Sequence, residues 1–242
     1  SLPLHRIESL HEIHHCGFRF GEHGENVRVV CFAPYPVEGP STRMRIAALS
    51  PLWNEAGISL TLWAFMPSRF YRLRRTFGGR ATLLKLFFFM AASFRLAIRL
   101  LFIRFFDVVI IHREVFPLGP PLLETGMARW HGRVIYDLDD AIWFPPSNNI
   151  HQRKFLNDPK KIAKILASAR CVVAGNAYLA EYARRYSSNV HIVPTSYHDL
   201  GASSHRPAKS PVIVWIGNLG NAAYLDATLP ALEELADTYD FS

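Results

Sequence analysis

Cysteine is scarce in this chain of 242 residues: Cys16, Cys31 and Cys171 are odd in number, widely separated and free of any C-x-x-C spacing. That pattern argues against a disulfide framework or a zinc site and fits a reducing cytosol. Long uncharged apolar runs are also missing. The segment from Thr82 to Phe106 is rich in Leu, Phe and Ile, yet its longest uncharged stretch, Leu86 to Phe94, has nine residues, well short of the roughly 20 that a membrane-spanning helix needs. Residues Ser1 to Glu25 are polar, carry five histidines and lack the basic start, apolar stretch and small-residue cleavage site of a secretory leader. The chain does not begin with Met, and we expect a fragment or a processed product. Acidic residues are absent from Ser68 to Phe106, which holds nine basic ones: Arg69, Arg72, Arg74, Arg75, Arg80, Lys85, Arg95, Arg99 and Arg104. The net charge of +7 is therefore concentrated in this segment, and the remainder is close to neutral.

What is present is core-forming material. Half of the residues are hydrophobic and 13% are aromatic, which excludes disorder as the main state. Apolar, β-branched runs at Val27 to Phe32, Ile58 to Phe65, Val108 to Ile111, Val134 to Leu138, Cys171 to Ala174, Val190 to Val193 and Val212 to Ile216 alternate with helical patterns. Short, mostly apolar strands of this kind suit a parallel sheet buried on both faces. Ser41 and Thr42 are placed to cap a helix after the first strand, which Pro51 would kink, and Asn176 is placed to cap another. We expect a doubly wound α/β fold with a mostly parallel sheet. The organisation expected is a polar extension over residues 1–25, a Rossmann-like domain over 26–205, and the first β-α unit of a second such domain over 206–242, which is too short to bury a core of its own.

The apolar, basic stretch from Thr82 to Phe106 has its arginines at roughly helical intervals. A helix with Lys and Arg on one side and Phe and Leu on the other can lie in the headgroup plane of an anionic leaflet. It can equally be a crossover helix whose apolar side covers the sheet, and one broad apolar face can do both. We expect an anionic membrane surface as a partner through the Arg69 to Arg104 segment. Nucleic acid is not expected, because no helix-turn-helix, RRM-like or zinc-finger pattern accompanies the charge.

Several motifs stand where chemistry is expected. The loop after the first strand, Ala33 to Arg45, lacks the G-x-G-x-x-G of dinucleotide enzymes but offers Gly39, Ser41, Arg43 and Arg45 at a helix start, where anions are favoured. His112-Arg113-Glu114 ends a strand, and ligands of open α/β sheets bind at the carboxyl ends of strands. Tyr136-Asp-Leu-Asp-Asp-Ala-Ile-Trp143 crowds Asp137, Asp139 and Asp140 together, which is costly unless they meet cations, donors or a substrate. One reading makes Asp137 the nucleophile and Asp139 the general acid of a Mg²⁺-dependent phosphatase of the haloacid-dehalogenase type, although Ala141 stands where that motif prefers Thr or Val. The other makes the cluster a contact for sugar hydroxyls. His11, His14 and His15 have a metal-compatible spacing, but they sit in the polar extension and we expect no metal site. Gly217-Asn218-Leu-Gly220 follows a strand, and its amides are placed to cradle a diphosphate.

In order and spacing, Gly39 to Arg45, Ile111 to Pro117, Tyr136 to Ile142, Ala174 to Ala180, Ile192 to Thr195 with Asp199, and Trp215 to Asn218 resemble a family-4 glycosyltransferase of GT-B architecture. The resemblance implies a retaining enzyme that moves a sugar from a nucleotide diphosphate sugar to a glycan or lipid-linked acceptor, with no cofactor required. It implies that His112, Arg113 and Glu114 face the cleft, that Asp137, Asp139 and Asp140 line its acceptor side with Asn176 nearby, and that Gly217, Asn218 and Gly220 approach the donor. The family's glutamate pair, separated by seven residues, has no counterpart in this chain. The donor site is therefore expected to lie largely outside it, and the chain alone is expected to be inactive. A peripheral enzyme on the cytoplasmic face of a membrane, or a non-enzymatic membrane-surface module, fits the same residues.

Overall fold

The computed structural model describes residues 26–77, 82–144, 158, 160–195, 213–215 and 225–238. The chain divides into two compact units, Ser1–Pro145 with His151–Tyr197, and Pro146–Ile150 with His198–Ser242.

Six strands of the first unit form one sheet: β1 (Val27–Ala33), β2 (Ile58–Ala64), β3 (Val108–His112), β4 (Val134–Leu138), β5 (Cys171–Ala174) and β6 (Val190–Ile192). All pairings are parallel and the spatial order is β2-β1-β3-β4-β5-β6. These match six of the seven apolar runs in the sequence to within a residue or two. Parallel strands need helical crossovers, and the connections supply them. Helices α1 (Pro40–Arg45) and α2 (Ser50–Glu55) follow β1; α3 (Ser68–Phe77) and α4 (Thr82–Leu101) follow β2; α5 (Leu122–His131), α6 (Lys161–Ser168) and α7 (Ala177–Arg184) follow β3, β4 and β5.

The two-residue alternation of the strands sorts their side chains between two cores. Val30, Phe32, Val109, Ile111, Val134, Tyr136 and Leu138 pack with Leu96 of α4, Met127 of α5, Ile165 of α6 and Leu179 of α7. The intervening residues, among them Val29, Cys31, Val108, Ile110 and Ile135, pack on the other face with Ile46 and Trp53. The fold is thus α/β, a parallel sheet with helices on both faces. The chain winds outward one way from β1 to β2 and the other way from β3 to β6, so the order reverses between β1 and β3. That reversal is where such sheets open a crevice at the carboxyl ends of their strands.

Four local expectations are corrected. Ser41 and Thr42 do not cap α1: its N-cap is Gly39, no side chain caps it, and both hydroxyls bond elsewhere. The break at Pro51 is a change of element rather than a kink, with a 3₁₀ turn over Ala47–Leu49 between α1 and α2. Cys171 is disulfide-bonded, against the expectation of no disulfide framework, while Cys31 is a buried free thiol. Of the run Val212 to Ile216, residues 213–215 are described and form no strand; with no paired neighbour among the described residues, an extended segment gains no ladder hydrogen bonds.

Asn176 does cap α7, its Oδ1 accepting from Leu179 N at 2.9 Å. In the second unit α8 spans Leu229–Thr238. No helix among the described residues is long and apolar enough to cross a membrane. The polar extension with its histidines lies outside the described residues, as do Gly217, Asn218 and Gly220.

Candidate functional site

His112 and Asp137 are the last and penultimate residues of β3 and β4, paired in register. Alternation turns both side chains to the face that carries α1, so Ser41 and Arg45 reach them from the helix above. His112 Nδ1 lies 2.7 Å from Asp137 Oδ2, and Nε2 lies 2.9 Å from Ser41 Oγ. Ser41 Oγ also makes a short hydrogen bond to Asp139 Oδ2. On the far side of Asp137, Arg45 Nε donates to Oδ1 at 2.9 Å, with Nη2 at 2.8 Å from the same oxygen. Arg45 Nη1 completes its bonding on the carbonyl of Val193, just after β6. A continuous chain of polar contacts therefore runs Asp139, Ser41, His112, Asp137, Arg45.

Three of these groups, His112, Asp137 and Arg45, are almost wholly sealed. The His112 side chain is fully buried and that of Asp137 is 7% exposed. Burial pushes the Asp137 carboxyl up, but the Arg45 guanidinium and the His112 hydrogen bond outweigh it and hold the group below the usual carboxylate range. Facing an ionised carboxylate, Nδ1 of His112 is assigned the proton. Burial first, and then Asp137, push the neighbouring Cys31 thiol up, so it is an inert core group.

The outer part of the cluster is open. Arg113 follows β3 in the left-handed region, φ 65°, a conformation that non-glycine residues seldom adopt. Three contacts hold it there: its N–H donates to Asp137 O at 3.0 Å, the Tyr136 hydroxyl donates to its carbonyl at 2.7 Å, and Glu114 N donates to His112 O at 2.9 Å. The twist brings the guanidinium over the β4 tip, with Nε 3.2 Å from Asp139 Oδ1 and Nη2 2.8 Å from Asp140 Oδ2. Two guanidiniums meet three carboxylates, which leaves the rim with one negative charge in excess. Asp140 is mostly exposed. Beside it Trp143 stacks on Tyr182 of α7, ring centroids 3.8 Å apart and 6° from parallel.

The structure thus gathers Ser41, Arg45, His112, Arg113, Asp137, Asp139 and Asp140, seven of the residues singled out in the sequence, at the β1/β3/β4 tips. Four others do not join them. Arg43 is exposed on α1 outside the cluster. Glu114 turns away to an ion pair with Lys161 Nζ of α6 at 2.9 Å. Asn176 acts as the α7 cap. At Gly39 a Cβ would meet Tyr35 Cβ at 2.8 Å, so glycine is required there by the loop's own packing. The sequence reading missed Glu124, a buried carboxylate that accepts from Val115 N at 3.0 Å and Phe116 N at 3.2 Å and so fixes the loop after the His-Arg-Glu triplet. Its only local signal is an acidic residue in the first turn of a helix.

Hydroxyl, imidazole and carboxylate stand here in the order used by acyl-transfer triads. Asp139, however, takes the Ser41 proton, and its charge beside Oγ opposes an attacking oxyanion. Asp137 is likewise enclosed by Arg45 and His112, which removes it as a nucleophile toward phosphorus. What the arrangement offers is a rim of carboxylates and one guanidinium, with hydroxyl and imidazole groups behind it. No protein-family model, curated protein or solved structure matches this chain.

Proposed function

We propose that this chain is the acceptor-side part of a retaining glycosyltransferase that uses a nucleotide diphosphate sugar and a glycan or lipid-linked acceptor. The observation that carries the reading is the convergence of Ser41, His112, Arg113, Asp137, Asp139 and Asp140 at the point where the strand order reverses, which is the ligand-binding position of open α/β sheets. The order of the motifs, similar to that of family-4 glycosyltransferases, supports the same reading.

The chemistry agrees with the groups present. Sugar transfer passes through an oxocarbenium-like state with a departing diphosphate. Asp139 and Asp140 are suited to pairing with acceptor hydroxyls and to offsetting the developing positive charge, and Arg113 is suited to the leaving anion. The phosphatase alternative needs Asp137 free to attack, and its two partners occupy it.

The test is incubation of the chain, and of any longer polypeptide that contains it, with a panel of nucleotide diphosphate sugars and glycan or lipid-linked acceptors, following nucleoside diphosphate release and transfer of labelled sugar. We expect acceptor binding by the chain, transfer with retention at the anomeric carbon, and a loss on the order of 100-fold for Asp139→Asn, the scale of removing one preorganised electrostatic group. Failure of acceptor binding and of transfer across the panel overturns the reading, as does chelator-sensitive phosphate release abolished by Asp137→Asn.

A further inference from the structure

A helix on a protein in water normally hides its apolar side and shows its charges. Helix α4 does so only in part: Leu96 packs in the core, but two of its arginines are turned inward and much of its apolar surface is exposed. Arg95 turns inward, Nη2 donating to the carbonyls of Ala64 at 3.1 Å and Phe65 at 2.7 Å, and Arg99 Nη1 donates to Ala64 O at 3.0 Å while its guanidinium lies over the Trp63 ring. These arginines close the carboxyl end of the edge strand β2. The outward side carries Leu83, Phe87, Met90, Phe94, Leu101 and, just past the helix, Phe105, exposed by 83, 67, 59, 71, 71 and 62%. Their spacing of three, four or seven residues makes one stripe, which over the 20 residues of the helix runs about 30 Å. Monomeric proteins rarely leave a continuous apolar ridge of this length in water.

We propose that α4 is an interfacial helix that seats on an anionic lipid bilayer through this apolar stripe, with Arg69, Arg72, Lys85 and Arg104 as the cations that meet the headgroups. All four are exposed; no acidic residue lies between Glu55 and Asp107 in the sequence, and Glu38, which reaches Arg72 at 3.9 Å, leaves the segment strongly basic. Charge complementarity selects the occupant: pairing with a second copy would bring two acid-free segments together, whereas an anionic leaflet accepts both the ridge and its cations. The contact differs from the one read in the sequence, since Arg95 and Arg99 belong to the protein and the insertion falls to Leu, Phe and Met. This inference is independent of the sugar-transfer reading and stands or falls apart from it.

The experiment is co-sedimentation of the chain with phosphatidylcholine vesicles, with and without phosphatidylglycerol. Binding is expected only to the anionic vesicles. The Leu83→Ser/Phe94→Ser/Leu101→Ser variant, which alters exposed side chains and leaves the core intact by circular dichroism, should bind at least about tenfold more weakly, given the area that a surface helix buries. Lys85→Glu/Arg104→Glu should weaken binding severalfold, and added salt should mimic it. Absence of vesicle binding overturns the proposal, and so does binding that ignores the triple variant. A dimer in sedimentation equilibrium that the triple variant dissolves, without any vesicle binding, assigns the stripe to a second copy instead.

Discussion

Asp137 is under opposing electrostatic demands, because burial and ionisation work against each other in one group. Arg45 resolves the conflict, and removing it exposes the cost. Arg45→Leu leaves a buried carboxylate without its cation and should lower unfolding stability by about 3–5 kcal/mol in urea titration. A pH signature follows. Asp137 is depressed in the folded state, so its stabilisation is complete above the unfolded carboxyl value of about 3.9 and is lost as pH falls through the lower folded value. Urea midpoints measured from about pH 5 to about pH 2 should therefore fall less steeply for Asp137→Asn than for the parent chain. The sequence made His112, Arg113 and the three aspartates legible as a site because polar groups crowd two strand ends. It did not reveal the wiring. Ser41 follows the local rule for a cap, yet its hydroxyl bonds His112 and Asp139, 71 and 98 positions away, and no local pattern encodes those partners.

Elements were legible to different degrees. The strands declared themselves through β-branched runs, and Asn176 through its place before a helical pattern; Asn176→Ala should cost about 1 kcal/mol in stability, the usual loss of a cap. Helix α4 was legible as a helix but not in its orientation. Periodicity states which residues share a side, whereas the direction that side faces depends on what lies opposite. Here the exposed carbonyls at the end of β2 draw in Arg95 and Arg99, and burial brings the Arg99 guanidinium down to about 10. Arg99→Ala should lower stability by about 1–2 kcal/mol through two routes, the Ala64 carbonyl left with one charged donor instead of two and the lost contact with Trp63.

At the scale of the whole molecule, two cores share one sheet, and each of the strands β1 to β5 contributes to both. Leu166 is fully buried against the sheet from α6; Leu166→Ala should cost about 2–5 kcal/mol by leaving a cavity, and differential scanning calorimetry should show the loss as a lower melting temperature. Because every strand of the sheet runs the same way, the sheet has a head and a tail. A saturation library scored separately for abundance and for ligand retention should therefore divide by position: changes at the buried strand residues deplete both scores together, and changes at Arg113, Asp139 and Asp140, just past the strand finishes, deplete the second while sparing the first.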